Sequence, residues 1–99
     1  MGNMDKRFDI SEFVDAETEQ TVLADLVRRE KLRRKEFGLT QRELAAKSGV
    51  SYASVRRFEA MGDISLASLL KIGNALGFLS DFDGLFKNRI ITDLKDYKI

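Results

Sequence analysis

Residues 40–59 read TQRELAAKSGVSYASVRRFE. Two stretches with helical spacing meet at Ser48, Gly49 and Val50, with one glycine and no proline between them. Thr40 and Glu43 form a T-x-x-E capping box that opens the first stretch, with Leu44 and Ala45 turned inward. Gly49 ends it, because glycine alone takes a positive φ without a Cβ penalty. Ser51 is placed to cap the second stretch, whose inward residues are Val55 and Phe58.

A tight glycine-containing turn between two short helices is the sequence form of a helix-turn-helix. With Val55 and Phe58 inward, Ser51, Tyr52, Ala53, Arg56 and Arg57 face outward. Tyr52 with Arg56 and Ala53 with Arg57 are i,i+4 neighbours, so they make one patch on the N-terminal half of the second helix. Arginine can contact guanine O6 and N7 together in the major groove, and tyrosine can donate to phosphate or pack on a thymine methyl. Both helix N-termini, at Thr40–Gln41 and at Ser51, favour a nearby phosphate.

On either side of this pair the helical punctuation continues. A first helix is expected from Asp15 or Thr18, with Leu23, Leu26, Val27, Arg34 and Phe37 on one face and Gly38 just past its end. After the AMGDI loop, Ser65 opens a fourth helix bearing Leu66, Leu69, Leu70, Ile72 and Leu76, closed by Gly77. Ser80 and Asp83 mark a short fifth helix carrying Phe82, Leu85 and Phe86. The tail NRIITDLKDYKI is rich in β-formers and reads as a strand. The expected organisation is an arm over 1–17, a helical domain over 18–86 and a tail over 87–99 that contacts either a second copy or a partner.

The chain has 99 residues with 43% apolar side chains, enough for one modest core. It contains no cysteine and no histidine. Disulfides, thiolate metal sites and the commonest general base are therefore excluded, and no paired carboxylates or glycine-rich phosphate loop stand in for them. Asp81 and Asp83 read as a cap and a solvated turn rather than a metal site. We expect no enzyme, no cofactor and no metal. The segment MGNMDKRFDI has no apolar signal region, and no run approaches the ~18 apolar residues of a membrane span, so the expected location is cytoplasmic. Net charge is +1, but residues 28–57 hold ten bases against three acids, while residues 1–20 hold six acids against Lys6 and Arg7. A basic middle on a nearly neutral chain suits a localised anionic partner, or else a solvated helix face.

The run GLTQRELAAKSGVS resembles the Cro/lambda-repressor-type (Xre) helix-turn-helix family, whose commonest pattern is G-L-T-Q-x-x-L-A-x-x-x-G-V-S. The resemblance spans roughly residues 20–86 and implies an all-α, five-helix, lambda-repressor-like DNA-binding domain. It assigns phosphate contact to Gln41, and base or adjacent phosphate contact to Ser51, Tyr52, Ala53 and Arg57. It also implies a structural pair between Arg34 and Glu59. The candidate DNA-binding set is Thr40, Gln41, Arg42, Ser51, Tyr52, Ala53, Ser54, Arg56 and Arg57, with Gly49, Arg34 and Glu59 structural. One departure concerns the first helix, where the family usually has an aliphatic residue in place of Glu30 and again near Arg33. Either the helix is rotated locally toward Leu32, or a neighbouring arginine such as Arg34 partners Glu30.

The blocks R-R-F-E, I-S-L-x-S-L-L and D-F-x-x-L-F are similar to those of HipB-type antitoxins, which are associated with HipA-like kinases. The expected function is a transcriptional repressor binding double-stranded DNA as a homodimer on a near-palindromic operator. The alternative is an antitoxin that neutralises a HipA-like kinase toxin and regulates its own promoter.

Overall fold

A computed structural model describes residues 17–88, and these are all-helical. Four α-helices, α1 (Glu19–Glu36), α2 (Gln41–Ser48), α3 (Tyr52–Met61) and α4 (Leu66–Ala75), precede a 3-10 helix at Leu79–Gly84. The strand reading of the tail falls on residues outside the described range, apart from Asn88.

Local chemistry sets the boundaries. α1 starts at Thr18, whose hydroxyl accepts from the Thr21 N–H at 3.1 Å while the Thr21 hydroxyl accepts from the Thr18 N–H at 2.9 Å. It ends on Gly38 at φ +72, with Gly38 N–H donating to Lys35 O and Leu39 N–H to Arg34 O. That paired pattern satisfies two carbonyls the helix end would otherwise strand. α2 opens on the reciprocal Thr40–Glu43 box, with bonds of 2.8 and 3.0 Å. Ser51 caps α3 and Ser65 caps α4 through the N–H groups of Ser54 and Ser68. Gly49, at φ +79, turns the chain between α2 and α3, and no atom lies within 4 Å of where its Cβ would stand.

The core lies where α2 meets α3 and α4. Leu44, Val55, Ile72 and Leu76 are fully buried, and Phe58 and Val50 nearly so. Each of these six contributes about 1.5–3 kcal/mol by leaving water.

α1 departs from expectation. Leu23 and Leu26 are 38% and 40% exposed, Phe37 is exposed too, and the two residues α1 buries are Glu30 and Arg34. Neither proposed account of Glu30 holds. The helix is not rotated, since Leu32 remains 51% exposed, and Arg34 directs its guanidinium to Glu59 and to the Leu39 carbonyl instead. Arg33 stands in for an aliphatic residue by donating to Leu76 O at 3.1 Å, at the end of α4, and lying over the Phe78 ring.

The fifth helix is also corrected. It is a 3-10 segment entered from Phe78 with no side-chain cap, so Ser80 does not open it. Leu85 and Phe86 lie beyond it, 55% and fully exposed. The reason is packing: Gly73 of α4 leaves room for the Phe78 and Phe82 rings, which would stand 3.3 and 2.8 Å from a Cβ there. Those two rings, with centroids 6.0 Å apart, set the path of the chain.

Candidate nucleic-acid interface

α2 and α3 flank the turn at Gly49. Ser51, Ala53, Arg56 and Arg57 are exposed on α3, and Thr40 and Arg42 are exposed at the start of α2. Among the described residues, none of Arg42, Arg56 and Arg57 pairs with a carboxylate. Their charge is thus available to an external anion.

Tyr52 is not a free-standing contact residue. It is half-buried, with the Arg42 guanidinium 4.0 Å and the Arg56 guanidinium 5.6 Å from its ring centroid. The ring's negative face attracts both cations and joins the first turn of α2 to the first residue of α3. The sequence reading names all three residues but misses the stack, because Arg42 and Tyr52 are separated by the turn.

Thr40, Ser51 and Ser54 have hydroxyls engaged in helix starts. Thr40 Oγ1 accepts from the Glu43 N–H. Ser51 Oγ accepts from the Ser54 N–H at 3.1 Å and donates to Ser54 Oγ at 2.9 Å. Ser54 is half-buried and faces the cap more than solvent.

Gln41 is half-buried, and its Nε2 donates to Glu59 Oε1 at 2.9 Å. Glu59 gathers further donors behind the exposed face. Arg34 Nε and Nη2 donate to Oε2 and Oε1 at 2.8 and 2.9 Å, a bidentate pair with side chains only 10% and 2% exposed. Burial by itself would raise the Glu59 pKa, but hydrogen bonds from Arg34 and Gln41 hold it below the ordinary carboxylate value.

Glu30 completes this cluster as its opposite. Both of its carboxyl oxygens are buried without a donor. Burial first, then the neighbouring Glu59 carboxylate, push its pKa up to about 9. At neutral pH burial beside the Glu59 charge therefore favours the neutral acid. Nothing in residue type alone signals this, since the letter E carries no protonation state.

No helix among the described residues is long and apolar enough to cross a membrane. No curated protein and no solved structure matches the chain. The model of the Helix-turn-helix family does match, over residues 31–81, from the last turns of α1 through α4 into the 3-10 segment. With the capped α2–Gly49–α3 unit at the centre of that match, the chain belongs to the helix-turn-helix family of DNA-binding transcriptional regulators.

Proposed function

We propose that this protein is a sequence-specific repressor that reads a near-palindromic operator as a two-fold dimer. The observation that carries this reading is the pair Arg42 and Arg56 meeting at the Tyr52 ring across the turn, with Arg57 exposed next along α3. α3 enters the major groove, where Arg57 and Ala53 meet base edges and Ser51 and Arg56 meet bases or adjacent phosphates. Thr40 and Gln41 receive phosphate at the start of α2. The second proton of the Gln41 amide serves that contact while the first stays on Glu59. In a dimer the two α3 helices enter successive grooves about 34 Å apart.

An apolar surface supports a protein contact as well. Leu66, Leu79, Leu85 and Phe86 line one depression beside the 3-10 segment, and Phe86 is fully exposed at φ +64. We assign the dimer contact to it. The same face favours a second reading, an antitoxin that holds a HipA-like kinase inactive and represses its own promoter.

Selection from random duplex DNA, with wild type beside Arg57→Ala, tests the proposal. Enrichment of a two-fold motif that changes in the variant is the expected result. A folded protein that enriches nothing at low salt would overturn operator reading and favour the antitoxin.

A further inference from the structure

α1 carries a face that no other described element covers. Leu23, Val27 and Met61 floor a groove between α1 and the end of α3, and Arg28, Lys31 and Lys35 edge it. Leu23, Val27, Lys31 and Lys35 follow one another at i,i+4, so the apolar floor and the basic rim belong to one helical stripe. Met61 is 67% exposed there. A ligand for this groove must be apolar in its middle and acidic at its edges. Nucleic acid lacks the first property. A second copy of α1 laid parallel on the same stripe would face bases with bases.

Residues 8–15, FDISEFVD, have both properties. Phe8, Ile10 and Val14 fall on one face of an extended strand and Asp9 and Asp15 on the other, with Glu12 and Phe13 out of phase, and there is no base among the eight residues. This segment joins α1 at Thr18, next to the groove's end at Gln20. From Gln20 to Lys35 the groove runs about 22 Å along the helix. Eight extended residues span about 27 Å, so the segment can cover the groove. Tethering holds it at an effective concentration on the order of millimolar, enough to populate a weak contact.

We propose that residues 8–15 dock in this groove of the same chain. Their aromatic and aliphatic side chains lie on Leu23, Val27 and Met61, and their carboxylates face Arg28, Lys31 and Lys35. Docking sets these carboxylates against Lys31 and Lys35, and against Arg28 beside its own partner Asp25, so part of the positive charge of α1 is offset within the chain.

The full chain contains no cysteine, so Ser11→Cys takes a nitroxide at a single site. Paramagnetic broadening is then read at the methyl groups of Val27, Leu32 and Met61. The expected result is a several-fold loss of Met61 methyl intensity that is independent of protein concentration. Adding Asp9→Asn, Glu12→Gln and Asp15→Asn should restore most of it. Sharp Met61 and Val27 signals in the folded protein would overturn the proposal. Broadening confined to mixtures of spin-labelled and isotope-labelled chains would overturn it in favour of a second copy. Broadening that survives the three neutral substitutions would overturn the charge matching.

Discussion

The guanidinium of Arg42 lies 4.0 Å from the centroid of the Tyr52 ring, so the two helices of the turn are joined at their exposed ends as well as through their buried ones. Removing the ring frees Arg42 and Arg56 together. Tyr52→Ala should lower stability by about 1–2 kcal/mol and weaken DNA binding, whereas Tyr52→Phe should keep both near wild type. Thermal melts and binding isotherms on the three proteins check this. Equal loss in both variants would assign the effect to the hydroxyl instead.

Arg57 is exposed and pairs with no carboxylate among the described residues. Arg57→Ala should lose about 1–3 kcal/mol at one base pair and relax preference there. Binding measured against every single-base variant of the selected site reads this directly. A uniform loss across all sequences would make Arg57 a phosphate contact.

Glu59→Ala leaves the Arg34 guanidinium buried without its carboxylate. Truncating one member of a buried pair costs about 3–5 kcal/mol, a large share of the stability of a domain this size. The melting temperature should fall steeply, and an unchanged value would remove the pair's structural role.

Glu30 gives the protein a pH dependence of definite sign. Its folded pKa, about 9, lies above the ordinary value, so its contribution is full below about pH 4.5 and disappears as pH rises through 9. Over that window this group alone lowers stability by up to about 1.4 kcal/mol per pH unit. Glu59 acts oppositely: its lowered pKa makes a contribution that is lost as pH falls below the carboxylate range. Stability should therefore peak at mildly acidic pH. Glu30→Gln, neutral throughout, should melt near wild type at pH 5 and increasingly above it toward pH 8.5. A constant difference between the two proteins across that range would mean that Glu30 is not the titrating group.

Gly49 and Gly62 share a left-handed backbone but differ in their surroundings. Gly49→Ala should cost about 1–2 kcal/mol for conformation alone, as nothing stands within 4 Å of the new carbon. At Gly62 a Cβ would meet Leu23 at 2.7 Å, so Gly62→Ala should cost more and displace Leu23. Comparable losses in chemical denaturation would show that Leu23 gives way freely.

Helix boundaries are legible in the sequence because their signals sit on neighbouring residues: Thr40 with Glu43, Ser51 with Ser54, Gly38 and Gly49 at the ends. The buried residues of α2 and α3 are legible for the same reason, their periodicity being set within a single helix. What the sequence obscures depends on distant partners. The apolar spacing on α1 marks a stripe without saying what covers it, and Leu23 and Leu26 stay substantially exposed. The Ser80–Asp83 signal is local too, yet the Phe78 and Phe82 rings seated at Gly73 override it. Tyr52 between two arginines, Gln41 on Glu59 and a protonated Glu30 all arise where helices meet, beyond the reach of spacing.

Glu59 stands near the C-terminal end of α3, and three donors from α1 and α2 converge on its carboxylate. The helix is gripped at its far end, like a tool by its handle, and its other end is the working tip. From Glu59 back to Ser51 is about 12 Å along the axis, so a tilt of about 5° at the grip moves the tip by about 1 Å. A displacement of that size is enough to break a hydrogen bond to a base edge. A substitution in the buried cluster that leaves the domain folded would therefore still change which DNA the protein recognises, by altering the aim of α3 and none of its contacting side chains.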